Sequence, residues 1–142
     1  MIEFPIKFAI VDDEPDITSI FSMICSQNEL IKPYVYNDPV EAFEMIGKEK
    51  IQAAMIDLDM PVIAGDDLIK KCRQNYAWHI NFIVCSGVQK VIRAIRRFNL
   101  GADILLMKPA SSKDISTAVE KIVQKHKEWD QVIKAIGSGG SG

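Results

Sequence analysis

Four short apolar runs without polar alternation constrain the fold of this chain more than any other feature. They lie at residues 8–11, 53–56, 82–85 and 104–107. Runs of this kind are typical of parallel strands that are buried on both faces of a sheet. A fifth candidate strand at 34–36 follows Pro33, and we expect it at a sheet edge because proline cannot donate a hydrogen bond to a neighbouring strand.

Amphipathic stretches with helix start signals separate these runs. Asp38 and Pro39, for example, suit the N-cap and the first position of a helix. The alternation of strand and helix predicts a doubly wound α/β fold with a parallel sheet. Since the chain has 142 residues, we expect a single domain with one continuous core.

Polar side chains stand at the ends of the predicted strands. Asp12 and Asp13 close the first strand, Asp57 the third and Ser86 the fourth, and Lys108 lies just after the fifth. Because the carboxyl ends of parallel strands share one edge of the sheet, these side chains should gather there. With the strand order 2-1-3-4-5, the ligand crevice lies between strands one and three. Asp13 and Asp57 would then flank that crevice.

This group of side chains predicts phosphoryl chemistry. Three carboxylates in close proximity repel one another unless a cation neutralises them, and Mg²⁺ is the oxygen-seeking ion that accompanies phosphate. The Asp57 carboxylate could then attack phosphorus to form an aspartyl phosphate. Lys108 offers an ammonium group and Ser86 a hydroxyl group that could hold the phosphate oxygens.

Each of these residues also has an ordinary explanation when it is considered alone. Asp12 and Asp13 could cap the first helix, since aspartate is favoured at helix starts. Lys108 could be a solvated lysine, and Ser86 could be a turn residue at a strand end. Their agreement in order and spacing with Asp57 favours the phosphoryl site.

The chain resembles the receiver domains of bacterial two-component response regulators over roughly residues 5–126. The motifs that carry the resemblance are Asp12-Asp13 after a strand, Asp57-Leu58-Asp59-Met60-Pro61 with Gly65 downstream, Ser86-Gly87, Gly101-Ala102-Asp103 and Lys108-Pro109. Single motifs are weakly specific, but their combined order and placement are highly specific. The resemblance implies a flavodoxin-like (βα)5 fold with a five-stranded parallel sheet in the order 2-1-3-4-5.

The resemblance also implies a role for each acidic residue. Asp57 would accept a phosphoryl group from a histidine kinase or a phosphotransfer protein, and it would also ligate Mg²⁺. Asp13 would bind the ion directly, and Asp12 would act largely through water. Asp59 would supply its backbone carbonyl, and its side chain lies where family variation affects the lifetime of the phosphoryl group.

Four further residues follow from the resemblance. Ser86 and Lys108 would hold the phosphate, and the bond between Lys108 and Pro109 would be cis, as is common in the family. Leu105 stands where many receivers carry Tyr or Phe, whose rotation accompanies the movement of the switch Ser or Thr. The aromatic form of gating is therefore in question for this chain.

The last predicted helix carries an apolar seam that continues beyond what the sheet can cover. Its positions alternate in steps of four and three, with one polar member: Ile115, Val119, Ile122, His126, Trp129, Ile133 and Ile136. A helix from 112 to 136 would be ~37 Å long and would extend beyond a small domain. We therefore expect a parallel coiled coil and a homodimer, although packing of the helix back onto the domain is the alternative.

These observations predict a division of the chain into three parts. The receiver domain would occupy residues 1–126, and a helical extension, acting as a coiled-coil linker, would occupy 127–136. Residues 137–142 contain only glycine and serine and predict a flexible linker or tag. In the family, the surface of the fourth helix, fifth strand and fifth helix is used for dimerisation or output, and we expect the same here.

Composition bounds the remaining possibilities. A net charge of -2 gives no reason to expect direct binding to nucleic acid, and no apolar stretch approaches the ~20 residues of a membrane span. Cys25, Cys72 and Cys85 are widely spaced and are interpreted as buried, reduced thiols of a cytoplasmic protein. His79 and His126 are expected at the surface.

Two other functions remain open on the sequence. Asp57 and Asp59 also fit the nucleophile and acid of haloacid-dehalogenase-like phosphatases, although Asp12-Asp13 precede them, contrary to that family's usual order. The chain could instead be a phosphorylation-independent interaction module. We expect a receiver that is not an enzyme. Lys90, Arg93 and Arg97 form a basic stripe that would usually be a solvated helix face.

Overall fold

The computed structural model describes residues 2–96 and 101–140, and it forms one parallel five-stranded sheet in the order β2-β1-β3-β4-β5. The strands are β1 (Ile6–Val11), β2 (Ile31–Tyr36), β3 (Ala53–Ile56), β4 (Asn81–Gly87) and β5 (Ile104–Lys108). The helices are α1 (Pro15–Ser26), α2 (Pro39–Lys48), α3 (Gly65–Asn75), α4 (Val88–Arg96) and α5 (Ser112–Gly140). The predicted doubly wound, flavodoxin-like fold is confirmed.

Two apolar layers cover the two faces of the sheet. Successive side chains of a strand point to opposite faces, so Val11 and Ile56 pack in the layer with α2 and α3. Ile10 and Met55 pack in the layer with α1 and α5. The apolar runs of β1, β3 and β4 are therefore buried on both faces, as predicted.

The fifth strand departs from this pattern. Leu105 is 40% exposed and Met107 is 54% exposed, whereas Ile104 and Leu106 are partly buried against the layer that contains α5. The expectation that this run is buried on both faces is wrong. β5 is the last strand of the sheet, and its face away from the α5 layer is only partly covered, which leaves Leu105 and Met107 exposed.

The other edge strand and the following helix agree with the sequence signals. β2 lies at the edge, although it begins at Ile31, so Pro33 stands inside the strand rather than before it. Asp38 caps α2 by accepting a hydrogen bond from the backbone N–H of Val40 at 3.0 Å. The three cysteines are free and buried, as expected.

The fifth helix is long enough to leave the domain. Its 29 residues span about 44 Å. A reciprocal capping box starts it, because the backbone N–H of Asp114 donates to Ser111 Oγ and that of Ser111 donates to the Asp114 carboxylate. The helix continues past residue 136 as far as Gly140. No helix within 2–96 or 101–140 is long and apolar enough to cross a membrane.

The two histidines lie in different environments. His79 is exposed, as expected, whereas His126 is 6% exposed and packs at the base of the sheet. The prediction that His126 is a surface residue is therefore wrong. Beyond it, α5 turns from buried to exposed: Trp129 is 61% exposed and Ile136 is 68% exposed.

Candidate functional site

The sheet brings three carboxylates together at the carboxyl ends of β1 and β3. Val11 and Ile56 are paired in register, and the backbone N–H of Asp57 donates to Val11 O at 3.0 Å. Asp12 and Asp57 therefore leave neighbouring strands side by side. One carboxylate oxygen from each of Asp12, Asp13 and Asp57 lies within 4.8 Å of the others.

Ser86 and Lys108 complete the cluster from β4 and β5. The Ser86 hydroxyl donates to Asp57 Oδ1 at 2.8 Å, and Lys108 Nζ lies 3.7 Å from the same oxygen. Lys108 Nζ also donates to Asp12 Oδ2 at 2.7 Å. The ammonium group thus bridges the two buried carboxylates, and the hydroxyl fixes the orientation of Asp57.

The charge balance of the cluster favours a further cation. Burial raises the pKa of Asp57, and the charge of Asp12 raises it further, against the opposing effects of Ser86, Lys108 and the Asp59 amide. Burial alone would lower the pKa of Lys108, but its hydrogen bond to Asp12 and the charges of both carboxylates outweigh that effect and raise it. Three carboxylates face one ammonium group, and their oxygens are the ligands that Mg²⁺ prefers. The residues therefore fit a divalent cation.

The alternative role of Asp12 and Asp13 as helix caps is correct only in part. The N-cap of α1 is Glu14 rather than Asp12 or Asp13, and its side chain makes no capping hydrogen bond. Asp12 Oδ1 accepts from the backbone N–H of Glu14 at 3.0 Å. Asp12 therefore supports the turn into α1 with one oxygen and binds Lys108 with the other.

Comparisons with known proteins decide the family. The family model for the response regulator receiver domain matches residues 8–120, which is more than half of the chain. The chain belongs to the receiver domain family. Its membership agrees with the sheet order and sets aside the phosphatase family that the Asp57 and Asp59 pair also suggested.

Relatives and solved structures of several kinds are similar to this receiver domain. Regulatory protein VanR of Enterococcus faecium is 27% identical over 126 residues, covering 89% of this chain and 53% of VanR. Sensor histidine kinase TmoS of Ectopseudomonas mendocina is 26% identical over 131 residues, covering 92% of this chain and 13% of TmoS. The chain thus spans about half the length of VanR and a small part of TmoS.

A solved structure supports the same assignment at the level of the fold. The REC domain of AraT, a response regulator from Geobacillus stearothermophilus, superimposes with a TM-score of 0.80 at 25% identity. The alignment covers 92% of this chain and 99% of that domain. The alignment therefore includes nearly all of the AraT domain and most of this receiver domain.

The loop after Asp57 contains two features that were not anticipated. Lys90 of α4 lies with its Nζ 3.6 Å from Asp59 Oδ1, so one residue of the basic stripe pairs with the loop after Asp57 although both side chains remain partly exposed. Arg93 is exposed, and Arg97 lies outside the described residues. Val62 has a φ of 69° and is 88% exposed, at the centre of a turn closed by Ile63 N–H donating to Pro61 O at 2.8 Å.

Gly65 is packed directly under the acceptor. A Cβ at this position would lie 2.2 Å from the backbone oxygen of Asp57, and the Gly65 N–H donates to Leu58 O at 3.1 Å. The first residue of α3 therefore supports the backbone that carries Asp57. The motif contained this glycine, but the sequence could not show which atom it contacts.

The remaining predicted residues lie on β5 and just beyond it. The Lys108–Pro109 bond is cis, as the resemblance implied. Leu105 is paired with Val84 in the sheet and is 40% exposed on the side of β5 that faces away from the α5 layer. At this position the receiver domain has a partly exposed apolar side chain and no aromatic ring.

Proposed function

We propose that this receiver domain accepts a phosphoryl group on Asp57 from the phosphohistidine of a sensor kinase or a phosphotransfer protein. The observation that carries the proposal is the convergence of Ser86 and Lys108 on Asp57 Oδ1 beside two further carboxylates. Similarity to VanR and to part of a sensor histidine kinase supports a partner of the two-component type.

Four residues would hold Mg²⁺ in this function. Asp13 and Asp57 would bind it directly, Asp12 would act largely through water, and Asp59 would contribute its backbone carbonyl. The ion would supply the positive charge that the acidic cluster needs before an anionic phosphoryl group can approach. The proximity of the three carboxylates supports this assignment.

The transfer itself would exchange one bond to phosphorus for another. A carboxylate oxygen of Asp57 attacks phosphorus, the P–N bond of the phosphohistidine breaks, and the imidazole leaves with the electron pair and takes up a proton. The Lys108 ammonium and the Ser86 hydroxyl, which now contact Asp57 Oδ1, would turn to the phosphoryl oxygens. The protein would be a stoichiometric switch rather than a catalyst of repeated turnover.

The output would be a change in association through the α4-β5-α5 surface. Five apolar side chains are exposed on α4 and β5, between 38% and 57% each: Val88, Ile92, Ile95, Leu105 and Met107. Movement of Ser86 and Lys108 toward a phosphoryl group would act at the carboxyl ends of β4 and β5, the strands that border this surface. Such a local change can shift a two-state element.

The extension of α5 would provide the second half of a homodimer interface. Trp129, Val132, Ile133 and Ile136 are all at least 42% exposed on a helix that continues beyond the sheet. Unpartnered apolar positions at steps of three and four support a parallel coiled coil over residues 127–136. We place residues 1–126 in the receiver domain proper and treat the glycine and serine residues 137–142 as a linker or tag, although 137–140 continue α5 as helix. We also propose a cytoplasmic location and no direct contact with nucleic acid.

One experiment tests the acceptor and its output together. The chain, Asp57→Ala and the matched control Asp67→Ala would be run on size-exclusion chromatography with light scattering, each with Mg²⁺ alone and with beryllofluoride added. We expect the chain and Asp67→Ala to bind the phosphoryl mimic and change oligomeric state, and Asp57→Ala to do neither. Dimers of identical stability under every condition would contradict phosphorylation-driven association and favour a phosphorylation-independent interaction module.

A second pair of variants separates the extension from the α4-β5-α5 surface. Ile133→Lys would place a charge in the proposed seam, and Gln131→Lys would place the same charge on an exposed polar position of the same helix. We expect the first variant alone to weaken dimerisation. Equal dimerisation of both variants would refute the coiled coil.

Turnover of an external phosphate ester that depends on Asp57 and Asp59 would contradict the proposal that the domain is a stoichiometric switch.

A further inference from the structure

A single residue marks the point at which α5 leaves the domain. His126 is 6% exposed and follows Ile122 and Val123, which are also buried against the sheet. The next residue of the seam, Trp129, is 61% exposed. His126 is therefore the last buried residue of α5 before the extension.

The imidazole is held by one hydrogen bond and leaves one nitrogen unpaired. His126 Nε2 lies 3.0 Å from Asn81 Oδ1, which can only accept, so the neutral ring carries its proton on Nε2 and donates it. Nδ1 is buried and has no hydrogen-bond partner. A second proton would add a buried N–H at Nδ1 that also lacks a partner, which is costly.

The groups around His126 disfavour its charged form. His79, from the segment before β4, lies with its Nε2 3.5 Å from Asn81 Nδ2. Lys125 on α5 is paired with Asp103 at 3.3 Å, and the side chain of Asn81 also bonds that carboxylate. Burial lowers the pKa of His126, and the neighbouring His79 and Lys125 lower it further.

A cleft beside the imidazole offers space into which the ring can rotate. The cleft has a volume of about 300 Å³ and is lined by Ile2, His79, Asn81, His126 and Trp129. Among the described residues of the N-terminal segment, which begin at residue 2, the uncharged Ile2 alone lines this cleft. A ring that broke its bond to Asn81 could rotate into this space and reach water, and Trp129 would report the change.

We propose that His126 and Asn81 form a pH-sensitive latch at the base of the sheet. The latch holds the junction of α5 with the domain while His126 is neutral, and it opens when the ring is protonated. Opening removes the hydrogen bond that ties α5 to the amino end of β4 just before residues 127–136. The latch lies at the opposite edge of the sheet from Asp57, so it stands or falls separately from the proposed function.

The sign and size of the effect follow from the proton balance. The released ring has the ordinary pKa of histidine and the held ring a lower one, so acid favours release. Between those two values, each fall of one pH unit changes the ratio of held to released junction by about tenfold. Above the ordinary pKa of histidine the ring is neutral in both states, so the ratio of held to released junction no longer changes with pH through His126.

Trp129 fluorescence gives a direct test. The sequence contains two tryptophans, so Trp78→Phe leaves Trp129 as the single emitter, and its emission would be followed from about pH 8 to about pH 5, where histidine titrates. We expect a reversible one-proton change with a midpoint below 6.5, the ordinary pKa of histidine. His126→Gln should remove the change, whereas His79→Gln should keep it and move its midpoint upward.

Two further measurements exclude other sources of the signal. Far-ultraviolet circular dichroism should stay constant through the transition, and hydrogen exchange, corrected for its intrinsic pH dependence, should rise at 124–136 but not in β1. An NMR titration of the His126 ring tests the same midpoint in the unsubstituted chain if a variant does not fold. A transition that persists in His126→Gln, disappears in His79→Gln or accompanies global unfolding would overturn the latch.

Discussion

Replacement of Gly65 by alanine should slow phosphorylation of Asp57 by a large factor and lower the stability of the fold only modestly. The new Cβ would lie 2.2 Å from the Asp57 backbone oxygen and 2.8 Å from Leu58 Cα, both backbone atoms that cannot rotate away. A carbon and an oxygen need about 1 Å more than the shorter distance, and such overpacking costs about 1–3 kcal/mol. Since the displaced atoms carry Asp57, a shift of about 1 Å in the acceptor should slow phosphorylation about 100-fold.

The assay compares two glycines that border the same site. Gly65→Ala and the control Gly87→Ala, where an added Cβ meets nothing within 4 Å, would be phosphorylated by acetyl phosphate with Mg²⁺ and followed by intact mass. Urea unfolding would give the loss of stability for each variant. We expect a large rate defect and a modest stability defect for Gly65→Ala, and neither for Gly87→Ala. If Gly65→Ala accepts the phosphoryl group at the unsubstituted rate, the contact does not position Asp57.

Three further substitutions test other parts of the structure. Val62→Gly should raise the free energy of unfolding by about 1 kcal/mol, because a β-branched residue at φ 69° is strained; an unchanged urea midpoint would contradict this. Gly47→Ala should lower it by about 1 kcal/mol despite the better helix propensity of alanine, because the new Cβ would lie 2.5 Å from a Tyr76 ring that is stacked between two aromatic rings. Asp57→Asn should raise the free energy of unfolding at neutral pH without Mg²⁺. Burial raises the pKa of Asp57, so the charged carboxylate opposes folding, and the neutral amide does not. That gain should shrink as the pH falls through the folded pKa toward the ordinary value or when Mg²⁺ is added.

The acidic site could be predicted because it depends on rules that act along single strands. Apolar runs fixed the positions of β1, β3 and β4, and the parallel arrangement then sent their following polar residues to one edge of the sheet. The cluster of Asp12, Asp13 and Asp57 with Ser86 and Lys108 is therefore a consequence of topology. No knowledge of side-chain packing was needed.

The features that escaped prediction depend on packing between elements. The exposure of Leu105 and Met107 reflects what covers the last strand, and the contact between Lys90 and Asp59 depends on how α4 sits over the loop. His126 is different, because its position in the apolar seam between Ile122 and Trp129 already indicated burial. Histidine is a polar residue and was therefore expected at the surface, but its place in the apolar seam predicted its burial correctly.

The two ends of α5 are held in different ways, and this bears on how a signal could reach the extension. Ile115, Val119 and Ile122 bury apolar surface against the sheet, so this part of the helix should move as a rigid unit with it. Further along the helix, the proposed latch gives the polar contact of His126 with Asn81 a held and a released state, which is what a coupled element requires. If phosphorylation at Asp57 biases that contact, beryllofluoride must shift the pH midpoint of Trp129, and lower pH must change beryllofluoride affinity by the same factor. A midpoint that does not respond to beryllofluoride would mean that the site and the extension are read independently, and the output would then lie in the α4-β5-α5 surface alone.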